Sequence, residues 1–133
     1  MSEENVEIAA RLRRGYDAYN RCDFDAAMEW IHPEFELVPA GGQSPIKGTA
    51  AFRAWMEPNA FESQVLEPLE IRFSGNKALI RLRATIRGAG SGIEADFIAW
   101  AVWTFDAEQR MRRLQIYLDG QEAEALEAAG LSE

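Results

Sequence analysis

The sequence contains one cysteine and one histidine in 133 residues. Cys22 alone cannot form an internal disulfide, and a single thiol with a single imidazole supplies no recognisable metal-ligand set. That shortage leaves nothing resembling a ligand set, so neither a metal nor another cofactor is expected. A nucleophilic triad fails for want of a second histidine or a placed serine. Bases are also scarce: 14 Lys and Arg stand against 22 Asp and Glu, a formal charge of −8. That balance argues against nucleic acid and anionic membrane surfaces as partners. Arg81, Arg83 and Arg87 alternate along one stretch, and Arg110, Arg112 and Arg113 adjoin a turn. Both sets read as solvated charge. No apolar run reaches membrane-spanning length, and MSEENVEIAARLRR carries acids where a signal peptide carries bases, so a cytoplasmic protein is the expectation. The glycine-rich GAGSG at 88–92 joins two strand-like segments and is not a phosphate loop.

The segment richest in apolar residues is EADFIAWAVWTF, from Glu94 to Phe105, followed by the polar turn DAEQ and a second strand, RMRRLQIYLD. A strand apolar on both faces needs cover on both. Its own domain can close over one face. The other requires a second layer or a second subunit.

The remaining chain reads as helices first and strands after. Ser2 caps a first helix with the stripe Ile8, Leu12, Tyr16 and Tyr19. Asp23 caps a second helix that runs to His32 before Pro33, and Thr49 caps a third with Phe52, Trp55 and Met56, ending before Pro58. Glu34 to Val38 alternates like a short strand, and Pro39 to Gly48 is a loop. Gln64 to Phe73 is extended, with Pro68 confining it to an edge or a bulge. Lys77 to Arg87 sets Ala78, Ile80, Leu82, Ala84 and Ile86 on one face and Leu79, Arg81, Arg83, Thr85 and Arg87 on the other. Gln121 to Ala129 closes the chain as a helix, with Gly130 as terminator and Asp119 as its N-cap. One α+β domain spanning 1–133 follows.

Three phrases carry a family resemblance: RRGYDAYNRCDFDAAMEWIHPEFELVP (13–39), IKGTAAFRAW (46–55), and AVWTFDAEQRMRRLQIYLDG with EALEAAGL near the end. In these the chain resembles the nuclear transport factor 2-like superfamily, and within it the small bacterial SnoaL-like, polyketide-cyclase-like proteins. The resemblance implies a cone of cystatin-like type, in which a curved antiparallel sheet wraps N-terminal helices and leaves an apolar pocket. It also implies a homodimer through the outer sheet face, which here would use Ile98, Trp100, Val102 and Tyr117. Alternation then turns Ala99, Ala101, Trp103 and Phe105 inward, with Leu114, Ile116 and Leu118 beside them.

The superfamily hosts several reactions, so the resemblance does not choose one. Ketosteroid isomerases of this kind use a tyrosine and two aspartates; the matching positions here are Gly15, Pro39 and Ala101. The aspartate that cyclases and epoxide hydrolases carry inside the last strand corresponds to Ile116. Two groups remain as acid–base candidates, Tyr16 and Asp96. A regular hairpin pairing Arg87 with Ile93 sets Asp96 opposite Ala84 on the inner face, which conflicts with the parity of Ala101 unless a bulge intervenes. Inward and dry, Asp96 could act as a base; outward, it would meet Arg81 or Arg83. His32 reads as a C-terminal cap of the second helix.

The expected ligand is a small, largely apolar organic molecule lined by Tyr16, Tyr19, Leu37, Phe52, Trp55, Ala101, Trp103 and Ile116. Two functions stay open: a cofactor-free isomerase, cyclase or hydrolase, or a non-catalytic binder or dimeric scaffold. A third outcome is a cone filled by Trp30, Trp55 and Trp103 with no pocket at all.

Overall fold

A computed structural model of the chain describes residues 2–40, 44–57, 61–88 and 92–131, with the side chains of 61–63 left aside. The elements run α1 (Glu3–Asn20), α2 (Phe24–Ala27), β1 (Ile31–Val38), β2 (Ile46–Lys47), α3 (Thr49–Met56), β3 (Phe61–Ser74), β4 (Lys77–Gly88), β5 (Glu94–Phe105), β6 (Met111–Leu118) and α4 (Glu122–Ala129). The six strands form one curved, unclosed sheet in the order β2-β1-β6-β5-β4-β3, antiparallel except for the β1–β6 pair. The α+β cone is the architecture that the sequence implies.

Helix α1 starts where Ser2 accepts a hydrogen bond from the Asn5 backbone N–H at 3.1 Å, and Glu3 and Glu4 favour its positive end. Its buried stripe, Ile8, Leu12 and Tyr16, lies against the concave face of the sheet. Asn20 at its end acts as a one-residue strand: its side-chain amide donates to the Leu66 carbonyl and accepts from the Leu66 N–H, both at 2.9 Å. That pair of bonds occupies one stretch of the open β3 edge, which would otherwise expose unpaired backbone groups. Pro68 lies in this edge strand, and the register shifts between Pro68 and Glu70, so a bulge absorbs Leu69.

The two halves of the core lie on opposite faces of the sheet. Ala78, Ile80 and Leu82 of β4, Ala101, Trp103 and Phe105 of β5 and Leu114 of β6 face α1 and α3. Leu79, Trp100 and Val102 face outward and are covered by Ala125, Leu126 and Ala129 of α4. The layer over Trp100 and Val102 is the chain's own last helix. Trp100 is 7% exposed and Val102 0%; Ile98 and Tyr117 are partly buried at the margin of the same cluster. Helix α4 is held at its end by Lys77 Nζ, which donates to the Ala128 carbonyl at 2.9 Å, and by the Ser74 hydroxyl, which donates to Gly130 O at 3.2 Å. Gly130 takes a left-handed φ of 76°, which lets the chain turn back and bond Leu131 N–H to Leu126 O.

Several local expectations are corrected. Helix α2 stops at Ala27, and β1 begins at Ile31, so His32 lies in a strand and caps no helix. Its Nδ1 accepts from the Glu34 N–H at 2.9 Å and from Arg112 Nη1 at 3.1 Å. The α3 N-cap is Gly48, at φ 92°, rather than Thr49, and the α4 N-cap is Gln121 rather than Asp119. Gln121 Oε1 instead accepts from the Leu118 N–H at 2.9 Å. The central part of the 88–92 loop, part of the 39–48 loop and Pro58 lie outside the described residues.

Truncating Leu126, 4% exposed, removes the largest α4 side chain over Trp100. Leu126→Ala is expected to cost about 2–4 kcal/mol in urea unfolding and to raise acrylamide quenching of tryptophan emission. Unchanged stability and unchanged quenching would show that α4 does not hold the outer face.

Candidate functional site

Between α1, α2, α3 and the concave sheet lies a cavity of about 220 Å³. Its wall draws on every layer: Leu12, Tyr16 and Tyr19 from α1, Trp30 and Ile31 at the start of β1, Phe52, Trp55 and Met56 from α3, and Leu82, Ala99, Ala101, Trp103, Leu114 and Ile116 from the sheet. The space exists because Ala84, Ala99 and Ala101 stand where larger side chains would meet the helices. Trp30, Trp55 and Trp103 are on the wall around it.

A chain of aromatic rings frames one side. Tyr16 meets Trp103 edge-on, with centroids 6.2 Å apart and planes at 87°. Trp103 lies 6.0 Å from Phe35, Phe35 lies 4.5 Å from Phe52, and Phe52 stacks with Trp55 at 6.2 Å. This line crosses from α1 through β5 and β1 to α3, so two helix–sheet contacts share one packed row. Trp55 at its end is 41% exposed and Leu118 is 44% exposed, so the lining reaches the surface at both.

The polar groups in the wall are few. Trp103 Nε1–H donates to Tyr16 Oη at 3.0 Å in a fully buried bond. Tyr19 Oη donates to Gln64 Oε1 at 3.1 Å. Arg11 lies with its guanidinium 3.6 Å from the Trp30 ring centroid and also bonds Glu7, so it stacks on the rim with its charge partly balanced. Burial pushes the Tyr16 phenol far above its ordinary range; the Trp103 bond offsets this only in part, and Tyr19 adds to it. Burial, assisted by Cys22, pushes Tyr19 up to about 12. Both phenols stay protonated at neutral pH.

Of the residues expected to line a ligand site, Tyr16, Tyr19, Phe52, Trp55, Ala101, Trp103 and Ile116 do line the cavity. Leu37 does not: it is fully buried in the core, paired with Ile46 on one side and Leu114 on the other. Asp96 lies away from the cavity. Arg87 pairs with Glu94, one residue later than a hairpin closing on Ile93, and the ladder from there to Lys77–Thr104 is unbroken. Parity is thus satisfied without a bulge in the pair. Asp96 stands opposite Thr85, exposed on the outer side, where it accepts the Thr85 hydroxyl at 2.7 Å. No ion pair with Arg81 or Arg83 is formed among the described residues. The structure brings Tyr16 to Trp103 and leaves Asp96 apart from both. Phe97 and Gln64 line the cavity although not anticipated; Phe97 shares the parity of Ala99, which could have found it.

Chemically, the wall can donate hydrogen bonds and can desolvate. Its one carboxylate among the described lining residues, Glu29, is exposed. No group of His, Cys, Asp and Glu that could hold a metal ion occurs among the described residues. No helix there is long and apolar enough to cross a membrane.

A family model described as a SnoaL-like domain matches residues 12–114. Solved structures similar to the chain include an NTF2-like protein of unknown function from Burkholderia pseudomallei, 20% identical, with TM-score 0.76 over 97% of this chain and 98% of that one. SalBIII, an epoxide hydrolase/cyclase-like enzyme in pyran ring formation in the polyether salinomycin, is 18% identical, with TM-score 0.75 over 86% and 92%. A SnoaL-like polyketide cyclase from Jannaschia sp. CCS1 is 17% identical, with TM-score 0.75 over 97% and 94%. At these identities the likeness establishes the fold. No functionally curated protein matches the chain.

The buried Tyr16–Trp103 bond has a measurable signature. Tyr16→Phe leaves the indole N–H without an acceptor and should cost about 1–3 kcal/mol at neutral pH. Because both cone phenols hold protons that an unfolded chain gives up near pH 10, their contribution is complete below about pH 10 and is lost as pH rises toward the folded values. Urea midpoints should therefore fall above about pH 10, and less steeply in Tyr16→Phe than in the parent. Parallel curves for the two proteins would exclude Tyr16 as the source.

Proposed function

Since the chain belongs to the SnoaL-like domain family, we propose that its cone binds a small, largely apolar organic molecule and that binding, rather than acid–base turnover, is its activity. The observation that carries this reading is the composition of the cavity wall. Hydrocarbon and aromatic surface makes up most of the wall around about 220 Å³ of space; two tyrosine-centred hydrogen bonds lie in it, and Arg11, Arg14 and Glu29 are the charged residues that line it. Such a wall favours a ligand that loses little on leaving water.

The enzymatic alternative requires a base. Asp96, the carboxylate weighed for that role, is exposed on the outer side and bonded to Thr85. His32 is not on the cavity wall, and its Nδ1 already accepts two hydrogen bonds. Tyr16 can donate a proton in a hydrogen bond, but its raised pKa disfavours the phenolate that would remove one. Glu29, the one carboxylate among the described lining residues, is exposed, so no buried carboxylate in the wall stands ready as a base. Cyclase and epoxide hydrolase-like relatives share the fold, and similarity of that kind does not transfer their reactions.

Native mass spectrometry of the purified protein tests the proposal. A retained molecule at one per chain is expected, and Ala99→Leu, which fills the wall opposite Leu82 and Leu118, should abolish its retention with little change in melting temperature. As a defined probe, 2-ethylnaphthalene should bind the parent and lose at least about tenfold in affinity for Ala99→Leu. Absence of both retained molecule and probe binding would sink the reading; so would equal binding by the filled variant.

A further inference from the structure

Resting on that binding reading, we infer that the ligand enters and leaves the cone between α2 and α3, and that the Arg53–Asp25 ion pair is the strap that sets how fast it does so.

The inference starts from how the two helices are supported. Helix α2 packs on α1, whereas α3 packs on β1 and on the two-residue strand β2 at the edge of the sheet. They reach the cavity from these separate supports, with Ala26 and Ala27 on one side and Phe52, Trp55 and Met56 on the other. Among the described residues, the hydrogen bond that crosses between them belongs to Arg53, whose Nε donates to Asp25 Oδ1 at 3.1 Å. The same guanidinium lies 5.8 Å from the centre of the Phe24 ring, and its Nη1 donates to Glu57 Oε1 at 2.6 Å within α3. Phe24 in turn leans on Tyr19 at 5.9 Å, and Tyr19 is on the cavity wall. Arg53 therefore closes the gap from the solvent side, two rings away from the space within.

The strength of this closure is what makes it a strap. The Arg53 side chain is 41% exposed and that of Asp25 87%. Exposed pairs of this kind contribute little and are screened by salt, so the contact can open without disturbing the core. Other parts of the boundary are costlier to part. Passage through the sheet would break the continuous β4–β5 ladder, and the α1 stripe is buried against the concave face. At Leu118, the other exposed part of the lining, the main chain is held by pairing with Ala99 and by Gln121 Oε1. Neither Arg53 nor Asp25 lines the cavity. A contact that does not touch the ligand opens as readily over a loaded cone as over an empty one. Releasing it should thus speed entry and exit together and leave the affinity where it was.

The test follows 2-(trifluoromethyl)naphthalene by ¹⁹F magnetisation exchange between its free and bound signals, with calorimetry for the affinity. In Arg53→Gln both rates should rise by about twofold to fivefold, while Kd stays within about twofold. Asp25→Asn should do the same, and the double variant should be no faster than either single one, since each removes the same contact. Glu57→Gln, which removes only the pair within α3, should exchange at the parent rate. Sodium chloride at ~0.5 M should speed exchange in the parent and not in Arg53→Gln. That arm needs no substitution to be tolerated in the parent, so a misfolded variant does not spare the proposal. Rates indifferent to Arg53, Asp25 and salt overturn the strap, leave the binding reading standing and turn the route toward Leu118. Equal acceleration by Glu57→Gln, or rates that multiply in the double variant, also overturn it. If the parent does not bind the probe, the binding reading falls and this inference falls with it.

Discussion

Strand β5 is apolar on both faces, and the rest of the chain is arranged to keep both dry. Toward the cone, Ala99, Ala101, Trp103 and Phe105 meet α1 and the neighbouring strands; away from it, Trp100 and Val102 lie beneath Ala125, Leu126 and Ala129. Covering each large apolar side chain contributes on the order of 1.5–3 kcal/mol, so neither face can be left open cheaply. The strand sits between β4 and β6, with unbroken pairing to one and a single irregularity next to the turn into the other. A residue inserted in it would exchange its two faces, placing Trp100 in the cavity and Ala101 under α4. Cavity and outer packing are therefore two consequences of one register.

That register also explains why a cavity survives in a core with so many aromatic residues. Trp103 fills the inner face at one position, and two and four residues earlier the same face carries only alanine. The aromatic row spans the gap as a frame, with Tyr16, Trp103, Phe35 and Phe52 leaning on one another across element boundaries, while the alanines leave space beside it. Interiors tolerate few empty spaces, because unfilled volume forfeits dispersion contacts. A space kept open by small residues amid large ones is consistent with the ligand site proposed here.

Much of this was legible in the residues. Period-two alternation placed Ala101 and Trp103 inside and Trp100 outside, because a buried face tolerates no slip. The α1 stripe gave Tyr16 and Tyr19 for the same kind of reason at period 3.6. What could not be read were features decided by counts within loops and by short contacts. Nothing local in the glycine-rich 88–92 segment says whether Arg87 closes on Ile93 or on Glu94, yet that one residue decides the side of Asp96. Gly48 and Gln121 took cap positions that Thr49 and Asp119 suited better by type, since the path of the chain outweighs a cap bond of about 1 kcal/mol. The second cover over β5 was foreseen as a need, but an eight-residue helix with three buried residues signals its partner weakly.

The placement of charge leads to one further step. The chain carries 22 acidic residues, and among those described none has a buried carboxylate. In a domain with that many carboxylates, a cone lacking one inside differs in kind from a site built around a general base. A desolvated carboxylate in the wall would have its pKa raised toward the range useful for proton abstraction. A desolvated phenol is driven the opposite way in use: its pKa rises out of reach of the base role, and it becomes a more dependable donor. Tyr16 meets that second description, held by an indole that can itself only donate. The interior thus holds phenols that keep their protons, while Asp96, the carboxylate weighed beside them, stays on the outer side bonded to Thr85.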